Sequence, residues 1–282
     1  MKIEAAVLSS GSDGNAVYIR AGAYSVLIDA GLSGKELERR MKMRDIDPAS
    51  INAILVTHEH SDHIKGVGVL SRRYNIPIYA NQGTWSGSEK KLGKIKSENC
   101  RIFNGDFMIG DLAFSPYDIS HDAEEPVGYI CRAGDQKIVL ATDTGIMTAE
   151  MIKKISGADL FILESNHDLE MLMTGSYPYF LKNRIKGREG HLSNDAAAKI
   201  LPELLADNFP TVLLAHLSQE NNNPKVAYIT VNNILKETGY KVGRDLRLGC
   251  AVQAEPGPLI KLDRESRKKQ REKAENEFDG EK

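Results

Sequence analysis

The chain has 282 residues, of which 41% are hydrophobic and 27% charged, proportions typical of a globular protein with a full hydrophobic core. The net charge of −2 argues against a strongly basic nucleic-acid-binding protein, so any such function must come from local basic patches. No apolar run reaches the roughly 18 residues of a membrane span or resembles a signal peptide, and three widely spaced cysteines argue against a disulfide framework. We therefore expect a cytoplasmic protein with no membrane partner.

Short apolar runs predict many strands with helices between them. In chain order, strands are predicted over Ile3–Ser9, Ala16–Arg20, Tyr24–Asp29, Ala53–Thr57, Ile76–Ala80, Leu112–Ser115, Val127–Arg132, Lys137–Thr142, Asp159–Leu163 and Thr211–Ala215. Helices are predicted from Ser33, which begins a capping box, to about Met43, and over Ile64–Arg73, Ala149–Ser156, Asn194–Leu204 and Lys225–Thr238. This alternation indicates an α/β protein in which helices cover sheets.

The composition changes only near the C-terminus. Residues 1–262 are expected to form one domain. In residues 263–282, 14 of 20 side chains are charged and few are apolar, which predicts a disordered or frayed-helical tail.

Three of the seven histidines fall within six positions, in the run His58-Glu59-His60-Ser61-Asp62-His63. The run directly follows the apolar strand predicted to end at Thr57. In an extended chain His58 and His60 project to the same side, and the turn into the next helix can bring Asp62 and His63 toward a second ion. Imidazole with carboxylate suits zinc, and also manganese or iron. The alternative, a solvated histidine-rich loop, does not account for this spacing after a strand.

Three more candidate ligands stand at the ends of other predicted strands. His121 follows the strand near Leu112–Ser115, Asp143 follows Lys137–Thr142, and His216 follows Thr211–Ala215. A single histidine in such a position is as often a hydrogen-bonded core residue as a ligand. Because the chain also carries the run His58–His63, the presence of three such residues favours a shared metal site.

These residues, together with Leu27-Ile28-Asp29-Ala30-Gly31, resemble the ordered motifs of the metallo-β-lactamase superfamily over residues 1–262. The resemblance implies an α/β fold, a four-layer αβ/βα sandwich, with two divalent metal ions at one edge of the sheets. It assigns His58, His60 and His121 to the first ion. It assigns Asp62, His63 and His216 to the second ion, with Asp143 bridging the two and Asp29 orienting a ligand loop. Two cations about 4 Å apart can hold a hydroxide and clamp the oxygens of a displacement, and Asp62 can orient the attacking water.

A second set of residues points to phosphodiester chemistry. Ser193, Asn194 and Asp195 are predicted to begin a helix, whose N-terminus can bind an anion. His191, just before it, is a candidate general acid for the leaving oxygen, and Glu164 at a strand end can hold that histidine protonated. The pair is similar to the acidic strand end and histidine loop of ribonuclease Z. The remaining candidate substrate contacts come from a glycine-rich N-terminal turn, a basic segment and this helix start: Ser10, Asn15, Lys182, Arg184, Ser193 and Asn194.

Three segments resemble the YycJ/WalJ (VicX) family of bacterial nucleases. They are Ser-Gly-Ser-x-Gly-Asn at residues 10–15, Glu-Ser-Asn-His-Asp at 164–168 and Gly-His-Leu-Ser-Asn at 190–194. The resemblance implies a cytoplasmic exonuclease that degrades double-stranded DNA from 5′ ends, with a link to mismatch repair. A metal-bridging hydroxide would attack phosphorus, and the DNA would be held by the metal face or by a second subunit of a homodimer.

Other functions remain open at this point. A small-molecule hydrolase of the same fold would act on a thioester, lactone or cyclic phosphodiester, but does not need the basic segment around Lys182. A ribonuclease Z-like enzyme would act on RNA, and no motif reads the 2′-hydroxyl. A regulator without activity would not need every ligand position filled, as it is here. A di-iron oxidoreductase of this fold normally needs a flavin partner, and the sequence contains no flavin domain. The donor set is compatible with zinc or manganese.

Overall fold

The computed structural model describes residues 2–206 and 208–262. The charged tail predicted at residues 263–282 lies outside these described residues. The described chain divides into two compact units. The first unit comprises residues 2–118, 122–134 and 251–261, and the second comprises residues 119–121, 135–206, 208–250 and 262. No helix in the described ranges is both long and apolar enough to cross a membrane.

The first unit contains nine complete strands and four α-helices among its described residues. The strands are β1 (Ile3–Ser9), β2 (Ala16–Ala21), β3 (Tyr24–Ile28), β4 (Ala53–Leu55), β5 (Ile78–Ala80), β6 (Cys100–Ile102), β7 (Phe107–Ile109), β8 (Leu112–Asp118) and β9 (Val127–Ala133). The helices are α1 (Gly34–Lys42), α2 (Ser61–Ile64), α3 (Val67–Tyr74) and α4 (Gln82–Leu92), with short 3₁₀ turns at Pro48–Ser50 and Ser97–Asn99.

The second unit contains β10 (Gln136–Ala141), β11 (Leu160–Glu164), β12 (Thr211–Ala215) and β13 (Arg247–Cys250). Its helices are α5 (Ala149–Ile155), α6 (Leu169–Thr174), α7 (Tyr179–Ile185), α8 (Asn194–Leu204) and α9 (Pro224–Glu237). The last described strand is β14 (Ile260–Leu262). Within the described residues the strands form two mixed sheets, as expected for an α/β protein.

Strand direction in the first unit determines where its polar residues meet. The pairs β1–β2 and β2–β3 are antiparallel, whereas β3–β4, β4–β5 and β5–β6 are parallel. Ile28 pairs with Leu55, so β3 and β4 end side by side. Both strands are almost entirely apolar because they are buried on both faces. The polar residues that follow them, from Asp29 and from Thr57 onward, therefore emerge at the same sheet edge.

The second unit repeats this arrangement with four parallel strands in the order β10, β11, β12, β13. Ala141 pairs with Leu163, and Glu164 pairs with Ala215. The carboxyl ends of three neighbouring strands thus lie at one edge, and parallel α/β sheets bind ligands at such edges.

The predicted helix Ile64–Arg73 is wrong in its bounds, because the structure has two helices there. α2 begins at Ser61 and ends at Ile64, and α3 begins at Val67. Gly66 lies between them, where a side chain would meet the carbonyl oxygen of Leu32 at 2.4 Å. Because the two backbones approach so closely at this glycine, the break between α2 and α3 falls there. α4 was not predicted, since its glycines at 83 and 87 lower helix propensity.

Candidate metal centre and catalytic site

Four candidate metal ligands of the first unit lie together in the loop and short helix that follow β4. His58 Nε2 is 3.2 Å from His60 Nδ1, and the rings of His58 and His63 have centroids 4.0 Å apart. His63 Nε2 lies 3.4 Å from Asp62 Oδ2. His58 and His63 are fully buried, whereas His60 and Asp62 are partly exposed. The structure therefore brings together the four residues that the sequence pattern selected in this loop.

Asp29 holds one of these histidines in a defined orientation. Its Oδ1 accepts a hydrogen bond from Thr57 N and its Oδ2 accepts one from Thr57 Oγ1, both at 2.9 Å. His63 Nδ1 donates to Asp29 Oδ2 at 2.8 Å, which leaves Nε2 as the acceptor nitrogen of that ring. Burial raises the pKa of Asp29, while hydrogen bonds from His63 and Thr57 act against that rise. Such a partner fixes the tautomer of a metal-binding histidine.

The glycine of the Leu27–Gly31 segment is required by a close backbone approach. A Cβ atom on Gly31 would lie 1.6 Å from the carbonyl oxygen of Asp62. Asn15 N donates to the same carbonyl at 2.8 Å, and Gly31 N donates to Asn15 O at 2.8 Å. The N-terminal turn is thereby packed directly against the ligand loop.

Asn15 and Ser10 were predicted to contact substrate, and the structure buries both. The Asn15 side-chain amide donates to His63 Nε2 at 3.0 Å and lies 3.3 Å from Asp62 Oδ2. Its Oδ1 accepts a hydrogen bond from Gly11 N. Asn15 is therefore placed to orient candidate ligands rather than to reach a substrate.

The second unit has its own cluster at the ends of β10, β11 and β12. Asp143, Glu164, His191 and His216 offer ligand atoms that all lie within 4.8 Å of one another. His216 Nδ1 is 2.9 Å from Glu164 Oε1 and 3.2 Å from Asp143 Oδ1. His191 Nδ1 lies 2.7 Å from the same Glu164 oxygen. His121 lies nearby, with its ring centroid 5.2 Å from that of His191.

Glu164 is fully buried, and hydrogen-bond donors around it compensate the negative charge of its carboxylate. Burial alone would raise its pKa, but the charge of His191 and hydrogen bonds from His191 and His216 outweigh burial and hold the pKa of Glu164 well below its usual range. Its other oxygen, Oε2, accepts hydrogen bonds from the backbone nitrogens of Thr144 at 2.8 Å and Leu192 at 3.3 Å. A buried carboxylate with these donors remains ionised.

Three candidate site residues have left-handed backbone conformations. Asp29 has φ 60°, Asp143 has φ 59° and His216 has φ 55°. Non-glycine residues adopt this region uncommonly and at an energetic cost. Each of the three follows the end of a strand, where the chain must turn sharply. The strain is held by surrounding contacts, such as the hydrogen bond from Asn166 Nδ2 to His216 O at 2.9 Å.

The structure buries the two predicted substrate contacts at the start of α8. Asn194 has no exposed surface, accepts a hydrogen bond from Ser165 Oγ at 2.6 Å and donates one to Asn222 Oδ1 at 3.1 Å. Ser193 caps α8 by accepting from Ala196 N at 3.1 Å. Both side chains therefore make hydrogen bonds within the protein. A polar residue at a helix start can cap the backbone or bond to other buried groups as well as bind a ligand.

The predicted contact Lys182 also has partners within the fold. Its Nζ donates to the carbonyl oxygens of Met173 at 2.8 Å and Gly175 at 2.7 Å, and the side chain is buried. Arg184, two residues later, is exposed.

Sequence reasoning also missed Thr57 and Asn166, which hold Asp29 and His216. The only available signal was their position beside a predicted site residue.

The chain resembles known proteins over most of its length. The β-lactamase superfamily domain model matches residues 24–216. The chain is 42% identical over 245 residues to exodeoxyribonuclease YycJ of Bacillus anthracis, covering 86% of this chain and 93% of that protein. It is 40% identical over 260 residues to exodeoxyribonuclease WalJ of Streptococcus pneumoniae, covering 91% and 97%.

Fold similarity agrees with these matches. The metallo-β-lactamase fold protein YhfI from Bacillus subtilis superposes with a TM-score of 0.70 at 16% identity, covering 93% of this chain and all of that one. The predicted α/β fold of the metallo-β-lactamase type is thereby confirmed. This chain belongs to the β-lactamase superfamily and, within it, to the family of the YycJ and WalJ proteins, and it is a hydrolase.

Proposed function

We propose that this protein is a metal-dependent exodeoxyribonuclease that removes nucleotides from the 5′ ends of double-stranded DNA. The observation that carries the proposal is the buried Glu164–His191 pair at 2.7 Å, in a chain 42% identical to a YycJ exodeoxyribonuclease over most of its length. A buried carboxylate paired with a partly exposed histidine is the arrangement expected of a general acid.

The residues present fit divalent metal ions. His58 Nε2 and His60 Nδ1 lie only 3.2 Å apart with Asp62 and His63 beside them, and histidine clusters with carboxylates are the donor sets of zinc and manganese. The family pattern assigns two ions to His58, His60, Asp62, His63, His121, Asp143 and His216, and the proposal adopts that assignment. Bound ions would make water nucleophilic near neutral pH and offset charge on the phosphate.

His191 acts in this proposal as the proton donor to the leaving oxygen. Because its Nδ1 donates to Glu164 Oε1, its Nε2 is the nitrogen available to substrate. As the phosphorus–oxygen bond breaks, the proton on Nε2 passes to the departing oxygen, and the negative charge of Glu164 stabilises the protonated ring beforehand. Asp62, whose side chain is 25% exposed, orients the attacking water.

The phosphate contact, the cellular location and the form of the DNA substrate are each supported by a different observation. The exposed Arg184 is better placed than the buried Lys182 to contact a phosphate. The three cysteines are free thiols, which suits a cytoplasmic location. Preference for double-stranded DNA and a role in mismatch repair follow from the family resemblance. The duplex would be held either by the metal face itself or by the second subunit of a homodimer.

Cleavage of a substrate panel tests the proposal. Duplex DNA labelled at either end, single-stranded RNA, a thioester and a lactone would be incubated with Mn²⁺ or Zn²⁺. We expect stepwise loss from the 5′ ends of DNA, and no such loss with His60→Ala protein. Hydrolysis of the thioester or lactone without cleavage of either polymer would instead establish a small-molecule hydrolase. Preferential cleavage of RNA would establish a ribonuclease Z-like enzyme.

A further inference from the structure

The segment between β11 and His191 carries an exposed aromatic pair that the proposed mechanism does not use. We call residues 169–190, which contain α6 and α7, the α6–α7 arm. Tyr179 and Phe180 are 71% and 74% exposed, and Leu169 and Met173 on α6 are also largely exposed. Concentrated apolar exposure of this kind marks a binding surface.

The arm is fixed in place. The buried ammonium of Lys182 donates to carbonyl oxygens of Met173 and Gly175, which ties α7 to the end of α6. Gly190 packs on the last turn of α7, where a Cβ atom would lie 2.2 Å from the carbonyl oxygen of Arg184. The two rings are therefore displayed on an anchored helix, so little ordering is needed when they bind a ligand.

The arm is also connected directly to the candidate general acid. His191 N donates to the carbonyl oxygen of Ile185 at 2.8 Å. At 1.5 Å rise per residue, the start of α7 lies roughly 9 Å along the helix from Ile185. Successive nucleotides of one strand are about 3.4 Å apart, so this spacing corresponds to about three nucleotides.

The charge of the arm favours nucleic acid over an apolar partner. Arg184, Lys186 and Arg188 are exposed basic residues of the arm, against two exposed acidic ones, Glu170 and Glu189. The buried Lys182 does not contribute to this surface. Surfaces that combine aromatic side chains with basic residues bind unpaired nucleotides by stacking on the bases and neutralising the backbone.

We propose that Tyr179 and Phe180 form a stacking subsite for nucleobases of the DNA end, close to the position at which the strand is cut. The inference rests on the proposed nuclease function and adds to it how the end of the strand is held. An exonuclease must separate the bases at the strand end from their neighbours, and a ring that stacks on one of these bases replaces part of the lost stacking energy.

Terminal-base fluorescence tests the subsite in the metal-loaded, full-length protein. The probes are cleavage-resistant phosphorothioate duplexes with 2-aminopurine at the first, second or third nucleotide from the 5′ end, because stacking on a protein ring quenches this fluorophore. Tyr179→Ala, Phe180→Ala and the double variant would be compared with Tyr179→Phe and Phe180→Tyr, which keep the rings. Tyr228→Ala on α9 removes another exposed tyrosine and is the matched control. Hydrolysis of bis(p-nitrophenyl) phosphate reports separately on the metal centre.

Each alanine variant should raise the Kd for the duplex about 5-fold or more and reduce quenching, as expected for loss of a stacked base. The ring-retaining variants and Tyr228→Ala should resemble wild type, and every variant should hydrolyse the small diester normally. If wild type degrades DNA but the double variant keeps its affinity and quenching, the subsite is wrong and the nuclease function stands. If wild type hydrolyses only the small diester, the nuclease function itself fails. Loss of a dimer in sedimentation with unchanged DNA affinity would overturn the subsite and identify a self-association surface.

Discussion

A single oxygen of Glu164, Oε1, lies 2.7 Å from His191 Nδ1 and 2.9 Å from His216 Nδ1. The candidate proton donor and a candidate metal ligand are thus held by the same buried carboxylate. This arrangement fixes the orientation of both rings. It also predicts that changes at Glu164 and at His191 have different consequences.

His191→Ala should slow DNA cleavage by about 10²–10⁴-fold while leaving metal content intact, because general acid catalysis contributes on that order. Glu164→Gln should lower both the cleavage rate and the metal content, since it also removes the charge beside His216. Metal analysis of the purified proteins alongside cleavage rates separates the two. Loss of metal in His191→Ala would make that histidine structural and contradict its proposed role.

Asp29→Asn should weaken metal binding by about 10–100-fold, the usual effect of removing a partner that orients a metal-binding histidine. The amide keeps the size of the carboxylate but loses the charge beside His63. Titration against a chelator of known affinity measures the change. Asp106→Asn, at an exposed position in the same unit, is the control, and equal affinity in both variants would show that Asp29 does not support the metal centre.

Gly31→Ala should disrupt the first unit's ligand loop, since the added methyl group would lie 1.6 Å from the Asp62 carbonyl oxygen. Overpacking commonly costs about 1–3 kcal/mol, and a clash with backbone lies at the upper end of that range. Thermal unfolding and metal titration report the cost. Gly249→Ala meets only an ordinary contact at 3.4 Å and should change both quantities much less. Similar behaviour of the two variants would contradict the close approach at Gly31.

Arg184 and Lys182 should respond differently to substitution although they lie in the same basic segment. Arg184→Gln should weaken DNA binding and reduce the slope of log affinity against log salt concentration by about 0.9, the value for one phosphate contact. Lys182→Gln should lower the melting temperature, because its ammonium donates to two carbonyl oxygens. A reduced salt slope with an unchanged melting temperature in Lys182→Gln would restore Lys182 as a phosphate contact.

The sequence predicted the candidate ligands because their signal is local. The His58–His63 run follows an apolar strand, and parallel strands bring their carboxyl ends to one sheet edge, so spacing and strand context were enough. The same reasoning placed Asp143, Glu164 and His216 at strand ends. Their left-handed backbone conformations were not predictable, because only contacts distant in sequence hold that strain.

The burial of some predicted substrate contacts could not be predicted, because it depends on the direction of a side chain. Asn194 and Lys182 are polar residue types common on surfaces, but each is buried against partners that no sequence pattern reveals. The α6–α7 arm was not predicted because its two short helices lack a sustained apolar stripe. Its exposed aromatic pair became visible only when burial was known.

Cleavage of a DNA linkage whose leaving oxygen is replaced by sulfur tests directly whether His191 protonates the leaving group. A thiolate leaves without protonation, so a missing proton donor should matter little for this linkage. If His191 donates the proton, His191→Ala should cleave ordinary DNA far more slowly than wild type but cleave the sulfur-substituted linkage at nearly the wild-type rate. An equal defect on both linkages would show that His191 does not protonate the leaving group.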